Sequence, residues 1–131
     1  MKNHGVVAVI VNDGKFLLLE DSRELMLGFW APPHGRCDPK DKSEMDTVIR
    51  EVFEETHLTV KPLRKLWTTE ADTKLKTVSF WLANVIDGVL ELDKRESSRF
   101  GWFTLDESFG LKLYPGTKRF FELVKKREIQ L

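Results

Sequence analysis

The sequence predicts an α/β fold in which a mixed β-sheet is sandwiched between helices. Three observations carry that reading. Runs rich in β-branched and aromatic residues lie on both sides of one internal amphipathic segment. That segment has the helical period, and a second amphipathic segment follows near the end.

The elements follow in order. Residues 6–11 and 16–20 are apolar β-forming runs separated by Asn12-Asp13-Gly14-Lys15, and Asp-Gly between such runs signals a hairpin. Residues 29–31 form a short strand, ended by Pro32-Pro33-His34-Gly35. Residues 36–42, polar and containing Pro39, read as a loop. Ser43 is the N-cap of a helix over 44–57, its hydroxyl accepting from a first-turn amide. In that helix Val48, Val52 and Thr56 recur at a spacing of four, with Met45, Ile49 and Phe53 alongside. Residues 58–67 are β-formers broken by Pro62, which suits an edge or bulged strand. Residues 68–76 are polar and form a long hairpin loop, and 77–86 are a strand. Asp87-Gly88 is a turn before a short strand over 89–92. Residues 99–103 are a strand with Phe100 and Trp102 on one side and Phe103 on the other, and 105–109 make one helical turn. Pro115 suits the first turn of a final helix whose apolar side carries Phe120, Phe121 and Val124. No repeat or linker divides the chain, so one domain over 1–131 is expected.

Composition narrows the function. Hydrophobic residues make up 41% and charged residues 32%, ordinary for a soluble globular protein. Lys and Arg total 21, and so do Asp and Glu, so no global field draws nucleic acid or an anionic membrane. An anionic ligand must be held by local features. The single cysteine, Cys37, excludes an intramolecular disulfide and the usual structural zinc site, and nothing beside it except Arg36 would activate the thiol. No apolar run reaches the ~18 residues of a membrane span. The first apolar run ends in a turn signal rather than a cleavage site, so a strand is expected there, and the cytoplasm is the expected location.

The chemistry concentrates in Arg50-Glu51-Val52-Phe53-Glu54-Glu55. On a helix Glu51, Glu54 and Glu55 are three and four apart and project toward one side. Their repulsion costs a few tenths of a kcal/mol per pair, while Val52 and Phe53 are expected to anchor the opposite side in the core. Clustered carboxylates suit hard cations such as Mg²⁺ or Mn²⁺, which neutralise phosphate charge and acidify a bound water. By itself the hexapeptide reads as a solvated acidic face; the order of the flanking parts decides otherwise.

Those parts resemble the Nudix signature: Gly, five residues, Glu, seven residues, then Arg-Glu-apolar-any-Glu-Glu-any-Gly-apolar. Gly35 serves as the opening glycine, and Arg50, Glu51, Val52, Glu54, Glu55 and Leu58 match the helical half. Trp30-Ala31-Pro32-Pro33-His34-Gly35 resembles the family's Trp-x-x-Pro-Gly-Gly lead-in. There are three departures. The gap from Gly35 to Arg50 is one residue longer, the first glutamate falls on Asp41 or Lys42, and His57 replaces the final glycine, a position that favours left-handed backbone.

The resemblance implies a Nudix fold and a metal site on Glu51, Glu54 and Glu55, completed by the Gly35 carbonyl, with Arg50 orienting the acids by an ion pair. It also implies a role for Glu96, six residues before Trp102, as ligand or base, against the blander reading of a surface charge. The general base is then Glu54, Glu55 or Glu96. The run Lys76-Thr77-Val78-Ser79-Phe80-Trp81-Leu82-Ala83 resembles a strand of diadenosine polyphosphate hydrolases, with Phe80 where those enzymes often have Tyr. A tyrosine that some of them carry further on would fall near Leu75 and is absent. Candidate substrate contacts are Phe29, His34, Trp67, Lys76 and Phe80, whereas Trp81, Trp102, Phe120 and Phe121 read as core. The expected activity is divalent-metal-dependent hydrolysis of a pyrophosphate bond in a nucleoside diphosphate linked to another moiety. Nucleoside triphosphates or dinucleoside polyphosphates come first, and ADP-ribose-like sugars lower. The alternatives are a nucleotide-sensing module on the same scaffold and a plain acidic-helix interaction protein. No stable nucleic-acid or membrane partner is expected, and the chain is read as a monomer or homodimer.

Overall fold

Asn12-Asp13-Gly14-Lys15 closes a hairpin by the shortest route. In the computed structural model, which describes residues 3–71 and 75–131, β1 (His4–Asn12) and β2 (Lys15–Asp21) are antiparallel with Asn12 opposite Lys15. Asp13 and Gly14 sit at φ 51° and 72°, the paired left-handed geometry whose twist matches the flanking strands. Beyond the turn β1 and β2 part company. β2 pairs with β3 (Trp30–Ala31) and β7 (Ser97–Phe103), and β1 pairs with β4 (His34–Arg36) and, in parallel, with β6 (Thr77–Asp87). β5 (Thr59–Glu70) lies outside β6 as the edge strand, and its register shifts around Pro62, as a proline-broken strand requires.

β1 is buried on both faces, and its alternation sorts the two cores. Val6, Ala8 and Ile10 meet Val48 and Val52 of α1 (Glu44–Thr56). Val7 and Val9 face Phe120 and Phe121 of α3 (Pro115–Lys125). The helices therefore cover opposite sides of the sheet, as the sequence predicts. A short helix α2 (Leu105–Ser108) precedes α3, capped by Thr104 and Glu107 in a reciprocal box.

Several details differ from expectation. Pro32-Pro33 does not end the chain's pairing: Ala8 N–H bonds the Pro33 carbonyl, and the chain continues as β4 beside β1. Residues 89–92 are not a strand, and Val89 is 86% exposed. Instead Glu91 and Asp93 donate their N–H groups to the carbonyls of Thr56 and Glu55, satisfying acceptors orphaned at the end of α1. Met45, Ile49 and Phe53 lie at the surface rather than in the core, because only the Val48–Val52–Thr56 stripe faces the sheet. β5 extends to Glu70, which shortens the loop expected over 68–76; its residues 72–74 lie outside the described residues.

Candidate active site

The acidic helix is fastened at both ends. At its start Ser43 Oγ accepts from Asp46 N–H at 3.2 Å. The Glu44 carboxylate accepts from Trp81 Nε1 (2.9 Å), Ser79 Oγ (3.0 Å) and Lys65 Nζ (2.9 Å), and His4 Nε2 lies 2.5 Å away. Burial opposes ionisation of Glu44, but these partners outweigh it and hold its pKa at about 2. At its end His57 adopts the left-handed conformation, φ 62°, that the missing glycine would have favoured. Its N–H caps the Phe53 carbonyl and its ring Nδ1 donates to the Glu91 carbonyl at 2.9 Å, which offsets the cost of about 1 kcal/mol for that backbone.

The loop before the helix supplies a carboxylate in place of the signature's first glutamate, which this chain lacks. Asp41 receives a bidentate bond from Arg50, Nε to Oδ1 at 3.0 Å and Nη2 to Oδ2 at 2.8 Å, and a further bond from Thr47 Oγ1 at 2.8 Å. The extra loop residue thus carries a shorter acid to the guanidinium. The Arg50 bond, opposed by burial, holds Asp41 well below the ordinary carboxylate range. Arg50 also donates to the Arg36 carbonyl (2.9 Å), to Glu51 (2.8 Å) and, more loosely, to Glu54 (3.3 Å).

Glu51 lies flat against Gly35: a Cβ there would sit 2.0 Å from the Glu51 Cδ, so any larger residue displaces the Glu51 carboxylate. Burial, reinforced by Glu54 and Glu96 and opposed by Arg50, pushes Glu51 up to about 7. Glu55 is 4% exposed and accepts from His34 N–H at 2.9 Å. Burial, then the charges of Glu51 and Glu96, raise it well above its usual range. Glu54 stands at the rim, 55% exposed. Glu96 comes from the loop before β7 and is met by Arg23 Nη1 at 3.4 Å. The structure therefore brings Gly35, Arg50, Glu51, Glu55 and Glu96 together, with Glu54 beside them.

Among the described residues no three acidic or histidine side chains already converge on one ion-sized position. The donor chemistry nonetheless suits a hard cation. Burial raises the proton affinity of Glu51 and Glu55, and neighbouring acids add to it, Glu54 and Glu96 at Glu51 and Glu51 and Glu96 at Glu55; a divalent ion relieves that cost as a proton does. Mg²⁺ needs only one or two protein carboxylates, the rest of its shell coming from water and phosphate.

Glu51 and Glu96 open onto a cleft of about 840 Å³, lined also by Arg23, Leu25, Arg36 and Tyr114, and Glu55 lines a small hollow that shares Arg23, His34 and Tyr114 with it. Tyr114 and the Asp21–Arg23 pair do not stand out in the sequence. Tyr114 donates its hydroxyl to the buried Asp21, which grips Arg23 at 2.8 and 3.0 Å, and Arg23 in turn reaches Glu96. The available signals are faint: polar Asp21-Ser22-Arg23 directly after an apolar strand, and the chain's single tyrosine before Pro115.

The substrate candidates divide. His34 lines the cleft; its ring donates Nδ1–H to the Pro32 carbonyl at 2.9 Å and packs edge-on to Tyr114, and burial lowers its pKa. Phe29 is half-buried against Tyr114 at 6.1 Å, with Lys112 Nζ 4.3 Å from its ring. Phe80 is 1% exposed and stacked on Phe120 at 4.6 Å, so its face is taken and it belongs to the core. Trp67 packs on Phe80 and Phe120, on the α3 side of the sheet. Lys76 is exposed beside Leu75, and its backbone N–H bonds the Asn3 carbonyl.

Comparison with known proteins adds a family. The NUDIX domain family model matches residues 1–124. A MutT NUDIX hydrolase from Burkholderia pseudomallei superposes with a TM-score of 0.78 at 25% identity, covering 91% of this chain and 95% of that one. A MutT protein from Methanosarcina mazei gives 0.76 at 29% identity, covering 95% and 93%. An ADP-ribose pyrophosphatase from Streptococcus suis gives 0.71 at 29%, covering 87% and 81%. No curated protein matches the chain in sequence.

Proposed function

The chain belongs to the Nudix domain family and is a pyrophosphohydrolase of that family, and from this premise we propose that it hydrolyses nucleoside triphosphates or dinucleoside polyphosphates with Mg²⁺ or Mn²⁺. The observation that carries the reading is the acid pair on a doubly fastened helix: part-buried Glu51 lines a cleft that also holds Glu96, Arg23 and Arg36, and buried Glu55 lines the small hollow beside it.

Glu51, Glu54 and Glu55 would hold the cation, with the second lone pair of the Gly35 carbonyl as a further donor. When bound, a divalent ion neutralises phosphate charge and lowers the pKa of a water molecule. Arg50 keeps Glu51 and Glu54 oriented through its grip on Asp41. Arg36, at the cleft wall, supplies positive charge toward the substrate phosphates. The attacking water gives its proton to Glu96, held by Arg23, or to Glu54 at the rim, while one phosphoanhydride P–O bond breaks and the phosphate leaving group departs. Glu55, buried against the His34 N–H, serves as ligand rather than base. A single cysteine and balanced charge support action in the cytoplasm without nucleic acid. No helix among the described residues is long and apolar enough to cross a membrane.

The test is phosphate release, coupled to a pyrophosphatase and a phosphatase, across nucleoside triphosphates, dinucleoside polyphosphates and ADP-ribose. Metal-dependent release from the first two classes is expected, with less from ADP-ribose. A folded protein stabilised by metal plus nucleotide, yet silent across the panel, would instead be a nucleotide-binding module.

A further inference from the structure

His34 occupies a position where the family's lead-in carries glycine, and its side chain reaches a junction. It borders three hollows: the cleft containing Glu51 and Glu96, a small one containing Glu55, and an apolar recess lined by Val78, Phe80 and Thr117. Its orientation is fixed from three directions. The backbone N–H is on Glu55 at 2.9 Å, the ring edge meets Tyr114 at a centroid distance of 5.1 Å, and Nδ1 lies 2.9 Å from the Pro32 carbonyl. A carbonyl only accepts, so Nδ1 carries the hydrogen.

In the neutral ring that assignment leaves a lone pair on Nε2. Among the described residues Nε2 makes no hydrogen bond and no fully buried side-chain polar atom lacks a partner, so Nε2 is not sealed off where the ring borders these hollows. Tyr114 borders the same three hollows, but its hydroxyl is committed to Asp21. His34 is therefore the side chain at the junction with an acceptor to spare. A nucleotide carries its sugar between its phosphates and its base. The apolar recess, about 50 Å³, is too small for a base, so a nucleotide would lie in the cleft, where His34, next to Gly35 and bonded to Glu55, stands within reach of the sugar that adjoins the phosphates.

We propose that Nε2 of His34 accepts a hydrogen bond from a ribose hydroxyl of the substrate, so that His34 sets a preference for ribonucleotides over deoxyribonucleotides. This rests on the nucleotide hydrolase reading above. A site built around a hydrogen bond rejects the analogue that lacks the donor, because the acceptor is then left unpaired.

The experiment compares kcat/KM for ATP, GTP, CTP and UTP with their 2′-deoxy and 3′-deoxy counterparts, and ATP with ITP, in wild type, His34→Phe and His34→Gln. It is run at pH 8, above the ordinary imidazole pKa of about 6.5, with thermal melts as a control. Wild type is expected to favour the ribonucleotide over one of its deoxy forms by about tenfold or more. In His34→Phe that ratio falls toward one, because the ribonucleotide loses more than its deoxy form. His34→Gln, which keeps an acceptor, retains part of the preference, and it carries the comparison if His34→Phe melts early. A wild-type ratio near one, a ratio that survives in His34→Phe, or an equal loss on all substrates would overturn the inference. So would a change confined to ATP against ITP, which would place Nε2 on the base edge. Absence of turnover on every nucleotide by wild type would instead defeat the hydrolase reading itself.

Discussion

Arg50 distributes its donors over Asp41, the Arg36 carbonyl, Glu51 and Glu54, and so joins the loop, β4 and the acids of α1 in one network. Removing Asp41 leaves a part-buried guanidinium without its bidentate partner. Asp41→Ala should cost about 1–3 kcal/mol in urea unfolding, below the figure for a fully buried pair because Arg50 is 30% exposed. It should also lower turnover, since Glu51 loses its orientation. Unchanged stability would show that the network does not hold the loop. Gly35→Ala tests the close approach to Glu51: with no room for a methyl group, the carboxylate must swing away, and metal-dependent turnover should fall by about 10² or more. A crystal structure of that variant with Glu51 unmoved would contradict the account. The three glutamates are legible in sequence because they share one helix and one spacing. Tyr114 and the Asp21–Arg23 pair are not, because they come from distant stretches of chain and only folding joins them.

Some elements follow from local chemistry and others only from tertiary packing. The hairpin, the helix caps and the proline-broken edge strand follow from local chemistry, and all are found. β4 is hidden because Pro32-Pro33 carries no amide hydrogen, yet the Pro33 carbonyl still accepts from Ala8 of β1. Residues 89–92 look like a strand but serve to close the end of α1. On α1 itself the apolar pattern is wider than the buried stripe, which is why Phe53 was expected inside and lies at the surface. The start of that helix makes a pH prediction. Glu44 titrates at about 2 in the fold, depressed from 4.5. Its contribution is therefore full above about pH 4.5 and lost as pH falls toward 2, at most about 3 kcal/mol. The stability gap between wild type and Glu44→Gln, measured by urea unfolding, should be widest at neutral pH and shrink across that window. A gap independent of pH would remove the ionised carboxylate from the explanation.

Across the whole molecule, the sheet splays where β1 and β2 separate, and the cleft opens between the loop after β2, β4, α1 and the loop before β7. Net charge is zero, so recognition of an anionic substrate falls to that cleft, where arginines and glutamates face one another. The family was legible because its signature survives in Gly35 and the helical half. The compensations were not: Asp41 for the lost glutamate and a left-handed His57 for the lost glycine appear only once loop and helix are seen together.

The most direct measurement is metal-dependent phosphate release by wild type and Glu54→Gln on the best nucleotide substrate, with chelator controls and matched thermal melts. Glu54 is exposed at the rim, so the variant should fold normally. Turnover in Mg²⁺ or Mn²⁺ by wild type, abolished by chelation and reduced by about 10² or more in Glu54→Gln, is the result expected for a ligand or base. Wild-type turnover that survives chelation, or full activity in folded Glu54→Gln, would contradict the assignment of the chemistry to the acidic face of α1.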